Sequence, residues 1–171
     1  MVLSRQYSEF ITCTCYEWEM LLSDDRHKDI IISSLRFLTR EERASINAFV
    51  IMNNHFHMIW QMVGEWDREK VQRDFLKYTG QSILSQFKFA GSAYVEKFHV
   101  QAADREYQFW ERNSRGVSLT TERFLVQKLN YIHYNPVKAG LCTHPEDYKY
   151  SSARFYICNE KNWDFLVHYK G

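Results

Sequence analysis

Residues 46–62 read INAFVIMNNHFHMIWQM and predict a β-hairpin, from which the other elements can be placed. Two apolar runs, residues 46–52 and 55–62, have the length and composition of β-strands. Asn53 and Asn54 separate them, and asparagine tolerates the positive φ that tight hairpin turns require. The segment therefore predicts two antiparallel strands joined by a short turn.

Strands and helices alternate in the rest of the chain. Residues 7–16 alternate apolar and polar side chains and predict a strand. Apolar spacing and capping residues predict helices at 23–38, 65–89 and 118–134. Pro136 is expected to end the third helix, because the residue before a proline is pushed out of the α region. This order favours an α+β fold, with a layer of helices on an antiparallel sheet.

Composition excludes several classes of protein. The 171 residues suffice for one domain, and 45 % hydrophobic with 25 % charged residues is ordinary globular usage. No apolar stretch approaches the ~18 residues of a membrane span, and the first residues lack the apolar region of a signal peptide. We therefore expect a cytoplasmic protein without a membrane partner. The net charge of +1 neither demands nor excludes nucleic acid.

The triplet His55-Phe56-His57 is the first candidate site. Residues two apart on a strand point to the same face, so both imidazoles project together while Phe56 and Met58 face the core. Two imidazoles on one face can serve as a pair of metal ligands. The alternative is a pair of histidines hydrogen-bonded at the sheet surface.

The second candidate site is the end of the third predicted helix, YIHYN at residues 131–135. Tyr131 and Asn135 lie four residues apart and therefore share one helical face, which Gln127 extends. A polar stripe of this kind is commonly a solvated surface. Tyr134 and His133 project away from the stripe, so we expect packing or contact with a binding partner for His133 rather than metal binding.

Four sequence blocks together resemble one family. They are FVIMNNHFH at 49–57, YIHYNPVKAGL at 131–141, PEDY at 145–148 and YSS at 150–152. In these blocks the chain resembles the HUH single-tyrosine transposases, and most closely their REP-associated tyrosine transposase branch. The resemblance extends from about Ser8 to Tyr156.

The resemblance implies a fold and a division of the chain. The expected fold is a ferredoxin-like antiparallel sheet with helices packed on one face, the two histidines on a central strand, and the tyrosine helix against that strand. Residues 1–140 would form the catalytic domain. Residues 141–171 would form a C-terminal tail that packs on this domain or contacts DNA.

The resemblance also implies a chemistry. His55, His57 and Asn135 would hold one divalent ion, Mg²⁺ or Mn²⁺, since an amide oxygen suits a hard cation and Mn²⁺ also tolerates imidazoles. Tyr131 would be the nucleophile, and its attack on a phosphodiester would leave a 5′-phosphotyrosine and a free 3′-OH. The chain would then be a transposase or endonuclease that nicks and rejoins DNA.

Single-stranded DNA with a hairpin is the partner that the resemblance implies. Insertion-sequence relatives form dimers, and the sequence leaves open whether this chain forms a homodimer. It also leaves open whether Tyr131 acts in its own protomer's site or in that of the partner. Basic side chains on the long second helix and around the site are candidates for phosphate contacts: Arg68, Arg73, Lys77, Arg112, Arg115 and Lys138.

Three other functions are compatible with the same residues. The first is a catalytically silent module that binds hairpin DNA. The second is an HUH initiator of replication or plasmid transfer, although such proteins usually carry further domains. The third is a structural metalloprotein in which His55 and His57 combine with Cys13 or Cys15. The four cysteines form no CxxC pair and are expected to be reduced.

Overall fold

The computed structural model describes residues 7–112, 114 and 116–171. Within them, a main sheet of four antiparallel strands has the order β2-β3-β1-β6, and β4 and β5 form a separate hairpin. The strands are β1 Glu9–Thr14, β2 Ala44–Ile51, β3 His55–Met62, β4 His99–Ala102, β5 Arg105–Tyr107 and β6 Gly116–Ser118. β3 lies between β1 and β2, so the two histidines occupy a central strand.

The helices are α1 Asp25–Arg40, α2 Arg68–Phe89, α3 Glu122–Lys138 and α4 Ala153–Ile157. The succession β1-α1-β2-β3-α2-β6 is the β-α-β-β-α-β arrangement of ferredoxin-like folds. The α+β, ferredoxin-like prediction is therefore confirmed. Among the described helices, none has the length and apolar character needed to cross a membrane.

The hairpin between β2 and β3 forms where predicted, but for a different reason. Met52 N–H donates to the His55 carbonyl at 2.8 Å, which closes a two-residue turn. Neither Asn53 nor Asn54 is among the described residues with positive φ, so that part of the prediction is wrong. Their carbonyls instead accept backbone hydrogen bonds, both of 2.8 Å, from the segment after β1, at Leu22 and Cys15 respectively.

The two faces of the sheet are covered by different helices. On one face, Phe56, Met58 and Trp60 are fully buried in a core shared with α1 and α2. On the other face, α3 packs its buried apolar residues, among them Leu129 and Ile132, against β2 and β3. The strict alternation of β3 thus places its apolar side chains toward α1 and α2 and its histidines toward α3.

Helix α3 does not end at Pro136, contrary to the prediction. It begins at Glu122, where the Thr121 hydroxyl accepts from Phe124 N–H at 3.2 Å, and it continues to Lys138. Pro136 cannot donate a hydrogen bond to the helical ladder, but the ladder resumes after it, since Ala139 N–H reaches the Asn135 carbonyl at 3.0 Å. The helix therefore carries Tyr131 and Asn135 on one continuous turn.

The segment after residue 140 lies along β2. The Ser152 hydroxyl accepts a hydrogen bond from Phe49 N–H at 3.0 Å. The backbone N–H of Ser152 donates to the Phe49 carbonyl, also at 3.0 Å. Tyr148 donates its hydroxyl to the Ile51 carbonyl at 2.8 Å. The Ser152 hydroxyl also lies 2.9 Å from His133 Nε2, which ties α3 to the same strand. The division of the chain at residue 140 remains a prediction.

We expect Ser152→Ala to destabilise the protein by about 2–3 kcal/mol, because it leaves the buried Phe49 N–H and His133 Nε2 without this partner. Urea unfolding followed by circular dichroism measures this change. Ser23→Ala, which removes an exposed hydroxyl bonded only to the nearby Met20 carbonyl, is the control and should cost less than about 1 kcal/mol. Equal losses in the two variants would contradict the assigned role of Ser152.

Candidate active site

His55 and His57 form a pair on the α3 side of β3. Their ring centroids lie 4.8 Å apart. His57 is buried, with 3 % of its surface exposed, whereas His55 at the start of the strand is half-buried. The sheet register sets Thr12 and Thr14 of β1 opposite the two histidines. The pair is therefore held on a strand that is paired along both of its edges.

Hydrogen bonds fix the orientation of both imidazoles. His55 Nδ1 lies 2.7 Å from Asn54 Oδ1, and His57 Nδ1 lies 2.8 Å from Thr12 Oγ1. Because an amide oxygen only accepts, Nδ1 of His55 carries the proton and its Nε2 keeps a lone pair. Asn135 Nδ2 lies 3.3 Å from His57 Nε2, so this nitrogen likewise acts as an acceptor. With Nδ1 of each ring engaged, Nε2 is the nitrogen that each imidazole can offer to a ligand.

The electrostatics of the pair favour neutral rings. Burial, together with the nearby His55 and Lys128, lowers the pKa of His57 to about 3. Burial also lowers the pKa of His55, against the opposing effect of its hydrogen bond with Asn135. Both imidazoles are thus uncharged at neutral pH, which is the protonation state that binds metal ions.

Helix α3 brings Tyr131 and Asn135 to the histidines. The Tyr131 ring lies edge-on to the His57 imidazole, with centroids 5.2 Å apart, and also contacts Phe10 at 5.9 Å. Tyr131 remains 41 % exposed, so its phenol is accessible from solvent. Asn135 is half-buried. The four residues singled out in the sequence for metal binding and nucleophilic attack are therefore brought together.

The donor set fits a hard divalent ion. His55 and His57 offer neutral imidazole nitrogens, and a half-turn of the Asn135 amide presents its oxygen where its nitrogen now faces His57. Among the described residues, no group of three or more His, Cys, Asp or Glu has the spacing of a metal site. The third donor at this position is an amide.

The neighbouring residues on α3 face elsewhere. His133 is buried, its Nε2 lies 2.9 Å from Ser152 Oγ, and burial lowers its pKa to about 4. Tyr134 is 50 % exposed. His133 therefore belongs to the packing between α3 and the C-terminal segment, one of the two roles expected from the sequence.

A cysteine-containing metal site is excluded. Cys13 and Cys15 alternate with the threonines that face the histidines, so their thiols lie fully buried on the α1 and α2 side. Burial raises the pKa of Cys13 to about 12 and that of Cys15 even further. The thiols lie on the opposite face from His55 and His57, and the structural metalloprotein hypothesis is wrong.

Two lysines flank the Tyr131 ring. Lys138 Nζ lies 5.8 Å from the centre of this ring, and Lys128 Nζ lies 5.5 Å from it and 4.7 Å from the Phe10 ring. Lys138 was expected near the site, but Lys128 was missed. Its position three residues before Tyr131, on the same face of a helix, is the signal that could have identified it.

The other predicted DNA contacts lie away from Tyr131. Arg68, Arg73, Lys77 and Arg112 line a groove between α2 and residues 104–112 and 114. Three of these four pair with carboxylates: Arg68 with Glu9 at 3.0 Å, Arg73 with Asp74 at 3.4 Å and Arg112 with Asp104 at 3.2 Å. Arg115 lies outside the described residues. The predicted basic set is therefore divided between two surfaces.

Comparison with known proteins gives a match only at the level of structure. No protein-family model and no curated protein sequence matches the chain. A solved structure of a REP-associated tyrosine transposase bound to a REP hairpin is similar, with a TM-score of 0.64 and 17 % identity over 95 % of this chain and 83 % of that one. The structure of a candidate transposase from Deinococcus radiodurans R1 is also similar, with a TM-score of 0.53 and 11 % identity over 77 % of this chain and 92 % of that one.

These likenesses extend over most of each chain. They agree with the sequence blocks that resemble the HUH tyrosine transposases and with the central position of the histidine strand. The chain has the fold of the REP-associated tyrosine transposase.

Proposed function

We propose that this chain is a metal-dependent tyrosine transposase that nicks and rejoins single-stranded DNA at a hairpin. The observation that carries the proposal is the contact of an accessible tyrosine, Tyr131, with a pair of neutral, oriented imidazoles. The hairpin bound by the structural neighbour supports a hairpin as the substrate. The sequence blocks shared with the HUH transposases support the same assignment.

His55, His57 and Asn135 would hold one Mg²⁺ or Mn²⁺ ion. Asn54 and Thr12 keep the Nδ1 protons away from the site, so that both Nε2 lone pairs remain available. When bound, the ion supplies positive charge that polarises a non-bridging oxygen of the scissile phosphate.

Tyr131 would form the covalent intermediate. Its phenolic oxygen attacks the phosphorus, an O–P bond forms to the tyrosine, and the bond between phosphorus and the 3′ oxygen breaks. The phenolic proton passes to solvent, and the departing 3′ oxygen takes up a proton to become a free 3′-OH. Since one phosphodiester replaces another, attack by a 3′-OH reverses or redirects the step without ATP.

The charges around Tyr131 suit a phosphate backbone. Lys128 and Lys138 place two ammonium groups near the phenol ring, whereas the net charge of the whole chain is only +1. A local cluster of this kind positions the strand at the nucleophile without a broad basic surface. Arg73 and Lys77 on α2 would contact a more distant part of the same DNA.

We expect Tyr131→Phe to abolish covalent capture of DNA while leaving hairpin binding intact, because it removes only the attacking oxygen. The assay incubates the protein with Mn²⁺ and end-labelled hairpin strands from the DNA that flanks its gene, and then resolves denaturant-resistant protein–DNA bands. Tyr134→Phe, an exposed tyrosine on the same helix, is the matched control and should form the band.

Each other outcome has a defined meaning. A band that persists in Tyr131→Phe but disappears in Tyr134→Phe would reassign the nucleophile. Tight hairpin binding by the wild-type protein with no covalent band, under conditions in which Mn²⁺ binds, would favour the catalytically silent binding module.

We expect Thr12→Val to raise the Mn²⁺ concentration for half-maximal strand cleavage by roughly tenfold or more, because it removes the oxygen that orients His57. Thr14→Val is the matched control, since Thr14 lies opposite His55 on the same strand. Its effect should be less than about twofold, within the scatter of substitutions that remove no defined contact. An unchanged Mn²⁺ requirement in Thr12→Val would contradict the role of Thr12.

A further inference from the structure

The turn that follows β1 has an unfavourable backbone. Glu17 has φ 52° and ψ 28°, and the next residue, Trp18, has φ 58°. This left-handed region is costly for residues with a side chain, and for a bulky residue such as tryptophan it is a clear outlier. Two consecutive residues in this region do not arise from local preference, so the surrounding structure must impose the turn.

Three contacts impose it. Trp18 N–H donates to the Cys15 carbonyl at 3.0 Å, and Glu17 N–H donates to a Glu111 carboxylate oxygen at 2.7 Å. Asn54, whose side-chain oxygen orients His55, also donates its amide to the Trp18 carbonyl at 3.4 Å. Asn54 therefore holds this turn and also orients His55, the candidate metal ligand.

The result is a large aromatic side chain displayed beside the site. Trp18 is 62 % exposed, and its ring centroid lies 6.1 Å from that of His55. Trp18, His55, His57 and Tyr131 follow one another as a row of contacting rings, with Trp18 and the nucleophile at its two ends. An indole this exposed contributes little to the core, so fold stability does not account for the strained turn.

We propose that Trp18 is a stacking platform for an unpaired base of the DNA strand that runs through the active site. The inference deepens the proposed function and depends on it. Indole rings stack on any of the four bases, and such contacts bind single strands with little sequence preference. With the scissile phosphate at Tyr131, Trp18 would hold a base on the opposite side of the histidines and so set the direction of the strand.

A protein partner is the competing use of an exposed tryptophan. The apolar groove nearby is lined by Met20, Phe89 and Tyr94 and does not include Trp18. Trp18 instead contacts a candidate metal ligand, which places it with the nucleic-acid chemistry.

The first experiment measures affinity for a fluorescein-labelled hairpin with ten unpaired nucleotides on each side, taken from the DNA that flanks the gene. Every protein in this series carries Tyr131→Phe, so that no cleavage occurs, and the protein with Trp18 intact serves as the wild type for comparison. Trp18→Ala should weaken binding by roughly five- to a hundredfold, and Trp18→Phe should recover much of the loss. Trp66→Ala is the matched control, because Trp66 is also exposed but lies beyond the opposite end of β3, in contact with Arg43. This substitution should change the affinity for the hairpin by less than about twofold.

A second variant separates stacking from structure. Trp18→Gly should lose as much affinity as Trp18→Ala, while its thermal midpoint equals or exceeds that of the wild type, because glycine adopts positive φ without strain. A merely structural role would lower the midpoint together with the affinity. Removing the base of one flanking nucleotide at a time should identify one position at which the wild type binds no better than Trp18→Ala.

The outcomes distinguish the two proposals. If the wild type binds the hairpin and all Trp18 variants bind it equally well, the stacking role is overturned and the proposed function stands. If the Trp18 variants lose only an interaction with another protein, the stacking role is overturned in favour of a protein-binding role. If the wild type binds no hairpin strand from its flanking DNA, both proposals fail.

Discussion

The pairing of β3 on both edges is the constraint on which the rest of the structure depends. β1 and β2 fix its register from either side, and its side chains alternate between a core of fully buried apolar residues and the pair His55 and His57. A shift by one residue would exchange the two sets and place imidazoles in the core. The burial of Phe56, Met58 and Trp60 therefore also determines where the histidines point.

The chemistry of the site follows from a chain of polar contacts on that face. Thr12 and Asn54 hold one ring nitrogen of each histidine, and Asn135 reaches His57 from the helix opposite. Burial keeps the rings neutral. Positive charge is supplied instead by Lys128, whose Nζ lies 5.5 Å from the centre of the Tyr131 ring.

Local patterns predicted the parts of this site that depend on local geometry. The period of two in residues 55–60 predicted the faces of β3, and the spacing of four between Tyr131 and Asn135 predicted their common helical face. The family resemblance supplied the assembly of these two pieces, which neither pattern contains by itself.

The remaining features depend on contacts between distant segments. α3 continues through Pro136 because packing and the later hydrogen bonds of the ladder outweigh the preference of the residue before a proline. The left-handed turn at Glu17 and Trp18 depends on Glu111 and Asn54, both of which are remote in sequence. Arg68 and Arg112 pair with the carboxylates of Glu9 and Asp104, which sequence alone does not reveal, and their contact with DNA stays a prediction.

The small hydroxyl of Ser152 has a consequence for the timing of the proposed reaction. By joining His133 of α3 to the backbone of β2, it fixes the helix that carries Tyr131 to the sheet that carries the histidines. The separation of Tyr131 from the imidazoles is therefore established during folding and is already present before a strand arrives. In the proposed reaction the centre would thus be preorganised, and reorganisation on binding would fall to the DNA strand rather than to the protein.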